Sequence, residues 1–379
     1  MINSFTSTYP SIDKFSLDIF SVASSIGVTR VSEITSYDQP FVYVFQSCRP
    51  RALHLTIDSG KGYNRNQAFL SCCVEAIERY SAENIRNDIS YIKFPNLPSD
   101  IQAMLLLNSV DYPIACFLGY LLFNDTSNAY YLPEELIRYD LSMNSRPSLL
   151  LYRPGTTGLG SHSSLLPACY SGLIELLERD AINSSNNKYS IDINSLPSLF
   201  DPHIEWIRRK HDNFTIFYHC SPHPVHSFSI EDNDQFLYGA LNGMGASYSL
   251  ITALENALVE AIQTSIMRIS ASRDDWVFAS PSFGSSASTN VYPVMSWDAL
   301  LLSSPNIYGT DMDSHLESIN LYSLQHQFNT YYCPIRPTID TPGIVTVKVI
   351  CPWLRPLQQA NMLTGVPRFL SDFSELIYV

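Results

Sequence analysis

Residues 71–83 read SCCVEAIERYSAE, and the way Glu75, Glu78 and Arg79 are accommodated decides the reading of the whole chain. The adjoining AFLSCCV and the embedded Ala76 and Ile77 mark a largely apolar helix. In such surroundings an unpaired carboxylate is costly or changes its protonation, so these charges need a partner. Glu75 and Glu78, three residues apart, lie about 60° apart around a helix axis and share a face.

The pattern recurs. EAIER at 75–79 returns as ELLER at 175–179 and, weakened, as EAIQT at 260–264. Spacings of 100 and 85 residues are too long and too unequal for a solenoid, whose repeats run about 20 to 50 residues. The three segments are read as separate helices converging on one site, with Glu175 and Glu178 repeating the shared face of Glu75 and Glu78. A glycine-containing segment precedes each: DSGKGYN, GTTGLGSHS and LNGMGAS. These read as loops that let the backbone approach a ligand closely. Helix starts are expected at Asn64 or Asn66, at Ser163 or Ser164, and at Ser249, whose side chains can accept from first-turn N–H groups.

Between the helices, β-branched and aromatic runs read as strands: FVYVF (41–45), LHLTI (53–57), FTIFYH (214–219), FLYGAL (236–241) and GIVTVKVI (343–350). The fold class that follows is α+β, with the three long helices laid against antiparallel or mixed sheets. FASPSFGSSASTNVYP (278–293) reads as an exposed loop.

Composition narrows the function. A chain of 379 residues with a net charge of −13 and only 23 Lys and Arg lacks the clustered basic residues that phosphate neutralisation requires. Nucleic acid is therefore excluded as a partner, and a cationic one fits better. The eight cysteines form no C-x-x-C pair, and Cys72 and Cys73 pack as reduced thiols in an apolar helix. The start, MINSFTSTYPSIDKFSLDIF, lacks the basic lead and apolar core of a signal peptide, and no apolar run is long enough to span a bilayer. A soluble cytoplasmic protein with no membrane partner is expected.

Four glutamates gathered in a poorly solvated space require a counter-charge, and divalent magnesium, with its preference for oxygen, supplies one. Magnesium in turn suggests phosphate. Lys61, Arg79 and Arg179 offer donors to a polyanion, and the amide of Gln263 can orient a phosphate oxygen or a metal-bound water. A single E-x-x-E-R would be no more than a solvated helix face with local ion pairs. Two close copies in apolar helices and a third after a matching glycine segment favour a magnesium–nucleotide site. Neither G-x-x-x-x-G-K-S/T nor G-x-G-x-x-G is present, so the nucleotide would be held by another route. His219, Cys220, His223 and His226 in YHCSPHPVH have zinc-ligand chemistry, but the two prolines impose an extended path and no second ligand pair follows. Without a G-x-S-x-G elbow, hydrolase chemistry is set aside.

GKGYNRNQAFLSCCVEAIERYSAE and GTTGLGSHSSLLPACYSGLIELLERDA, in this order, resemble the YcaO family, and the similarity extends over GVTRVSEIT (27–35) and EAIQTSIMRISASRDD (260–275). The resemblance implies an ATP- and Mg2+-dependent enzyme that phosphorylates a backbone amide oxygen of a ribosomally made precursor peptide. A neighbouring Cys, Ser or Thr side chain then gives an azoline, or external sulfide gives a thioamide. It assigns Glu75, Glu78, Glu175 and Glu178 to magnesium. Lys61, Ser71, Arg79, Arg179, Gln263 and Arg273 go to the phosphates or their support, with Arg79, Arg179 and Gln263 nearest the chemistry.

The chain departs from the family pattern at Ser163, where many relatives have Asn, at Pro167, where an acid is common, and at Ser265, where arginine often stands. His162 offers a substitute ligand. The resemblance covers a catalytic domain at 25–355, after a lead-in at 1–24 and before a tail at 356–379 that lacks the P-x-P-x-P ending of azoline-forming members. With only the short lead-in before the domain, leader capture falls to a separate partner, either an E1-like leader-binding protein or a TfuA-like one. A homo-oligomer is compatible with the sequence. The alternative is a non-catalytic accessory protein, which would be expected to have lost metal carboxylates, whereas all four are intact.

Overall fold

The three glycine-bearing segments before the repeated helices are strands, not loops: Ile57–Gly62, Leu159–His162 and Asn242–Ser247. Their glycines permit a close approach, but the approaching group is the following helix. A Cβ on Gly60 would lie 2.0 Å from the Cys72 nitrogen and 2.4 Å from the Ala68 carbonyl oxygen. One on Gly160 would lie 2.1 Å from the Ala168 oxygen and 2.9 Å from the Gly172 nitrogen. For Gly245 the distances are 2.4 Å to both the Ala253 oxygen and the Ala257 nitrogen. Each glycine thus meets its own helix at the same two offsets, eight and twelve residues onward. Strand and helix backbones touch there, which any side chain would prevent.

The computed structural model describes residues 14–35, 41–104, 113–123, 128–139, 155–184, 187–211, 213–232, 241–270, 292–304 and 311–354. Arg273, the loop expected at 278–293 up to residue 291, the strand expected at 236–241 up to residue 240, and the tail at 356–379 lie outside the described residues. Two compact units result, one of Met1–Ile77 with Ser185–Thr310, the other of Glu78–Ser184 with Asp311–Val379.

The first unit begins with α1 (Lys14–Ser25), followed by β1 (Arg30–Glu33), β2 (Tyr43–Cys48) and β3 (Ile57–Gly62), which form an antiparallel sheet. α2 (Arg65–Glu83) starts in this unit, and the division falls within it, after Ile77. The second unit contains β4 (Ser90–Ile92), α3 (Ser99–Met104), β5 (Ile114–Leu121), β6 (Ala129–Pro133), α4 (Glu134–Ile137), β7 (Leu159–His162) and α5 (Leu165–Ser184). The chain returns to the first unit with β8 (Lys188–Ile191), α6 (Asp201–Lys210), β9 (Phe214–His219), β10 (His226–Asp232), β11 (Asn242–Ser247), α7 (Leu250–Ser270), β12 (Val294–Met295) and α8 (Trp297–Ser303). It ends in the second with α9 (Met312–Gln325), β13 (Tyr331–Ile335) and β14 (Val345–Ile350).

The first unit's larger sheet runs β11-β10-β9-β8-β12, antiparallel except for the parallel β8–β12 pair. The second unit's sheet runs β4-β5-β13-β14-β7 with β6 on β5, all antiparallel. This is the expected α+β architecture with helices on antiparallel and mixed sheets. Each unit has its own apolar core: Trp206, Phe228, Ile216 and Leu254 are central to the first, and Phe117, Leu132, Ile137 and Tyr331 to the second.

LHLTI is not a strand. Its residues up to Thr56 lie in the connection closed by the Arg49 N–H on the Thr56 carbonyl at 2.7 Å, and pairing with β2 begins only at Ile57. Leu53 is half exposed, so its apolar character reflects no sheet face. FTIFYH is β9 as expected, and the strands expected at 41–45 and 343–350 become Tyr43–Cys48 and Val345–Ile350. The helix caps fall at Asn64, Ser164 and Ser249, four residues after each contact glycine. Gln67 N–H donates to Asn64 Oδ1 at 2.9 Å, Thr252 N–H to Ser249 Oγ at 3.4 Å, and Ala168 N–H to the Ser164 carbonyl at 3.3 Å.

The histidine-rich segment is structural. His219 Nε2 hydrogen-bonds Ser229 Oγ at 2.8 Å and His226 Nδ1 hydrogen-bonds Tyr218 Oη at 3.1 Å, within the β9–β10 hairpin. Burial, and secondarily Lys188, pushes the His219 imidazole down from 6.5 to about 3. Between those values the unfolded chain binds the extra proton, so this histidine's contribution to stability is complete above about pH 6.5 and is lost as the pH falls towards 3. Acidification from about pH 6.5 to about pH 4.5 is expected to cost about 2 to 3 kcal/mol through this residue. Urea denaturation of His219→Gln beside the parent at both pH values should show a flatter dependence. Equal slopes would contradict the assignment.

Candidate functional site

The glycine register brings the repeated acidic positions into one frame. Glu75, Glu175 and Glu260 lie fifteen residues after Gly60, Gly160 and Gly245, and Glu78, Glu178 and Gln263 lie three further on. Burial repeats as well: in all three helices both positions are half-buried and enclose a fully buried pair, Ala76–Ile77, Leu176–Leu177 or Ala261–Ile262. The carboxylates therefore stand at the edge of the helix face that packs, close enough to the core to be shielded from water and open enough to meet a ligand.

In the second unit, α5 carries Glu175, Glu178 and Arg179, and the end of α2 carries Glu78 and Arg79. The Arg179 guanidinium lies 3.8 Å from a Glu175 oxygen and 3.9 Å from a Glu178 oxygen. Gly158, in the left-handed region at φ 87°, donates its N–H to Glu175 Oε2 at 3.0 Å. No Cβ fits at Gly158, because it would come within 2.6 Å of the Val349 carbonyl.

This cluster includes Lys348, a residue the sequence analysis did not single out. It lies on β14, opposite Leu159 of β7, and is only 3% exposed. Its Nζ donates to the Gly155 carbonyl at 2.6 Å. Burial pushes its ammonium down to about 8, while the neighbouring Glu175 and Glu78 carboxylates act in the opposite direction. The available signal was a single lysine in an otherwise apolar strand, TVKVI, where an inward-facing charge demands partners.

In the first unit, Lys61 of β3 pairs with Glu260 of α7 at 3.0 Å, and Gln263 Nε2 donates to Ser59 Oγ at 2.9 Å. Glu75 and Ser71 stand half-buried on α2. Sequence reasoning placed Lys61 and Gln263 but gave Glu260 and Ser59 no part. Ser265 has a structural explanation: its Oγ is 3.0 Å from His211 Nε2, and His211 Nδ1 is 2.8 Å from Asp232 Oδ2. The chain of groups resembles a Ser-His-Asp relay, yet Ser265 is buried inside α7 and its hydroxyl has no approach for a substrate. His162 and Ser163 are exposed neighbours whose side chains lie 3.1 Å apart.

Among the described residues no three His, Cys, Asp or Glu side chains form a ready-made metal cage, and no helix is long and apolar enough to cross a membrane. All eight cysteines are free thiols, and burial pushes Cys73 up to about 12.

The profile of the YcaO family, described as YcaO cyclodehydratase, ATP- and Mg2+-binding, matches residues 59–355. An uncharacterised protein of Methanothermobacter thermautotrophicus is 33% identical over 163 residues, 42% of each chain. A protein from a tfuA 3′ region of Rhizobium leguminosarum bv. trifolii is 27% identical over 164 residues, 41% of this chain and 38% of its own. The YcaO protein of Methanopyrus kandleri, solved with AMPPCP and Mg2+, superposes with a TM-score of 0.69 at 15% identity over 90% of each chain. A chain of the E. coli microcin synthetase McbBCD complex with pro-MccB17 bound gives 0.62 at 17% identity, covering 85% of this chain and 87% of that one. The chain spans 42% and 59% of the length of the first curated relatives it matches.

An α+β protein with a threefold strand–helix register and acidic helix faces is thus the class defined by fold and residues together. The chain belongs to the YcaO family, and ATP and Mg2+ are the cofactors of that family.

The residues fit these cofactors. Magnesium takes hard oxygen ligands, keeps several waters, and is usually held by one or two carboxylates together with substrate phosphates rather than by an all-protein cage. Glu175 and Glu178, three residues apart on α5 and both beside the Arg179 guanidinium, are carboxylates of that kind.

Proposed function

We propose that this protein uses ATP and Mg2+ to phosphorylate a backbone amide oxygen of a ribosomally made precursor peptide. Glu75, Glu78, Glu175 and Glu178 would hold magnesium. Lys61, Ser71, Arg79, Arg179, Gln263 and Arg273 would serve the phosphates or support those that do. The observation that carries the reading is the common register: three helices, each fixed to its strand at a glycine, present a carboxylate fifteen residues on and a second polar group three residues later.

Magnesium, when bound, would disperse charge on the transferring phosphoryl group. The chain's own residues orient and neutralise. Arg179 offers planar donors to phosphate oxygens, and Gln263, held by Ser59, offers an amide that can turn between donor and acceptor. The amide oxygen attacks the γ-phosphorus and ADP departs, leaving the phosphorylated imidate. A thiol, hydroxyl or sulfide then adds to the imidate carbon, and inorganic phosphate leaves with the former amide oxygen.

Intramolecular attack gives an azoline, and external sulfide gives a thioamide. The family's description as cyclodehydratase supports the first, and the relative from a tfuA 3′ region supports the second. A separate protein that captures the leader is part of the proposal, supported by the fold likeness to a chain of a multiprotein synthetase.

The test uses a cysteine-containing precursor peptide with its partner protein, ATP and Mg2+, read by mass spectrometry. Loss of one water marks the azoline, exchange of oxygen for sulfur marks the thioamide, and ATP consumption with the peptide unchanged would contradict the proposal.

A further inference from the structure

Lys348 has no role in the residue set above, yet it is a buried cation within electrostatic reach of Glu175 and Glu78. A lysine is rarely this buried unless it is paired, and this one is fixed at two levels. Its backbone is held in β14 between β13 and β7, and its Nζ by the Gly155 carbonyl. The connection it grips, residues 155–158, also supplies the Gly158 N–H that holds Glu175, while the Val349 N–H donates to the Gly158 carbonyl at 2.7 Å. Lysine, neighbouring backbone and glutamate therefore form one rigid piece of the second unit.

Charge balance shows what this piece does. Glu78, Glu175 and Glu178 carry three negative charges, and Arg79, Arg179 and Lys348 return three positive ones. A cluster with no net negative charge attracts a free divalent cation weakly. It accepts the same cation readily when nucleotide phosphates bring further negative charge.

We propose that Lys348 is a positioning residue that makes metal entry depend on nucleotide, by holding Glu78 and Glu175 in place as an internal cation and opposing the binding of a lone divalent ion. The proposal rests on the nucleotide reading above and adds an order to it: metal arrives with ATP, not before it. Arg179 lies 3.8 and 3.9 Å from Glu175 and Glu178 and offers its guanidinium to phosphate when nucleotide binds. Lys348, enclosed by strand and carbonyl, stays where it is.

The experiment is a titration of the nucleotide-free full-length protein with Mn2+ at pH 7, followed by electron paramagnetic resonance, for the parent, Lys348→Met and Lys348→Arg. Removing the cation should tighten binding of Mn2+ alone by about tenfold or more, and the arginine variant should behave as the parent. Structural damage would weaken metal binding, so a gain is the outcome that damage cannot produce. Lys348→Gln replaces Lys348→Met if the latter does not fold. Unchanged Mn2+ affinity in a folded neutral variant, or tight binding of Mn2+ alone by the parent, would overturn the proposal. A separate titration of the parent with AMPPCP and Mg2+ tests the underlying reading. Absence of binding there counts against the nucleotide site, while the Mn2+ comparison alone decides the role of Lys348.

Discussion

Glu75→Gln and Glu178→Gln are each expected to reduce magnesium-dependent ATP turnover by at least about a hundredfold, while leaving the far-ultraviolet circular dichroism of the protein unchanged. Glutamine keeps the size of the side chain and removes its charge, so the loss falls on metal and phosphate binding. The fold survives because both positions are half-buried, outside the Ala76–Ile77 and Leu176–Leu177 pairs that anchor their helices. Each also stands in the middle of a long helix, α2 or α5, where glutamine is as good a helix former as glutamate. Parent-like turnover in both variants would sink the assignment of these carboxylates. Loss of the helical signal would mean that they are structural.

Gly160→Ala carries the second large effect, this time on stability. The added Cβ would stand 2.1 Å from the Ala168 oxygen and 2.9 Å from the Gly172 nitrogen, both backbone atoms of α5. Neither can turn aside as a side-chain end would, so β7 and α5 must separate. Overpacking of this kind costs about 3 kcal/mol or more. Because α5 bears Glu175, Glu178 and Arg179, displacement should weaken nucleotide binding as well. Gly155→Ala is the control, since a Cβ there meets nothing within 4 Å, and its cost should stay within about 0.5 kcal/mol. Chemical denaturation of the two variants beside the parent distinguishes them. Equal stability would contradict the role of glycine as the strand–helix contact.

Much of this was legible in the sequence because charge within an apolar helix is a strong signal. Glu75, Glu78, Glu175 and Glu178 stand out for that reason, and the polar residues that can accept from first-turn N–H groups narrow the helix starts to Asn64 or Asn66, Ser163 or Ser164, and Ser249. The glycines signal a close approach, but in the sequence that approach reads as one to a ligand, and because glycine discourages a strand reading, β3, β7 and β11 read as loops. What a glycine approaches is a tertiary fact: only the folded chain shows Gly60, Gly160 and Gly245 seated on Ala68, Ala168 and Ala253. The same limit hid Lys348. Its partners Gly155, Glu175 and Glu78 lie between 173 and 270 residues away in the chain, and only the β7–β14 pairing brings residue 348 to the connection before β7. LHLTI misleads for the converse reason: it has strand composition, but only Ile57 enters a ladder. The division of the chain into two units made of alternating segments likewise has no local signature, since it passes through the middle of α2.

Calorimetric titration of the purified protein with AMPPCP, in the presence and absence of Mg2+ and beside Glu75→Gln, tests the central claim most directly. The account predicts binding that requires both the metal and Glu75. Binding that is indifferent to both, or none at all in the parent with Mg2+ present, would contradict it.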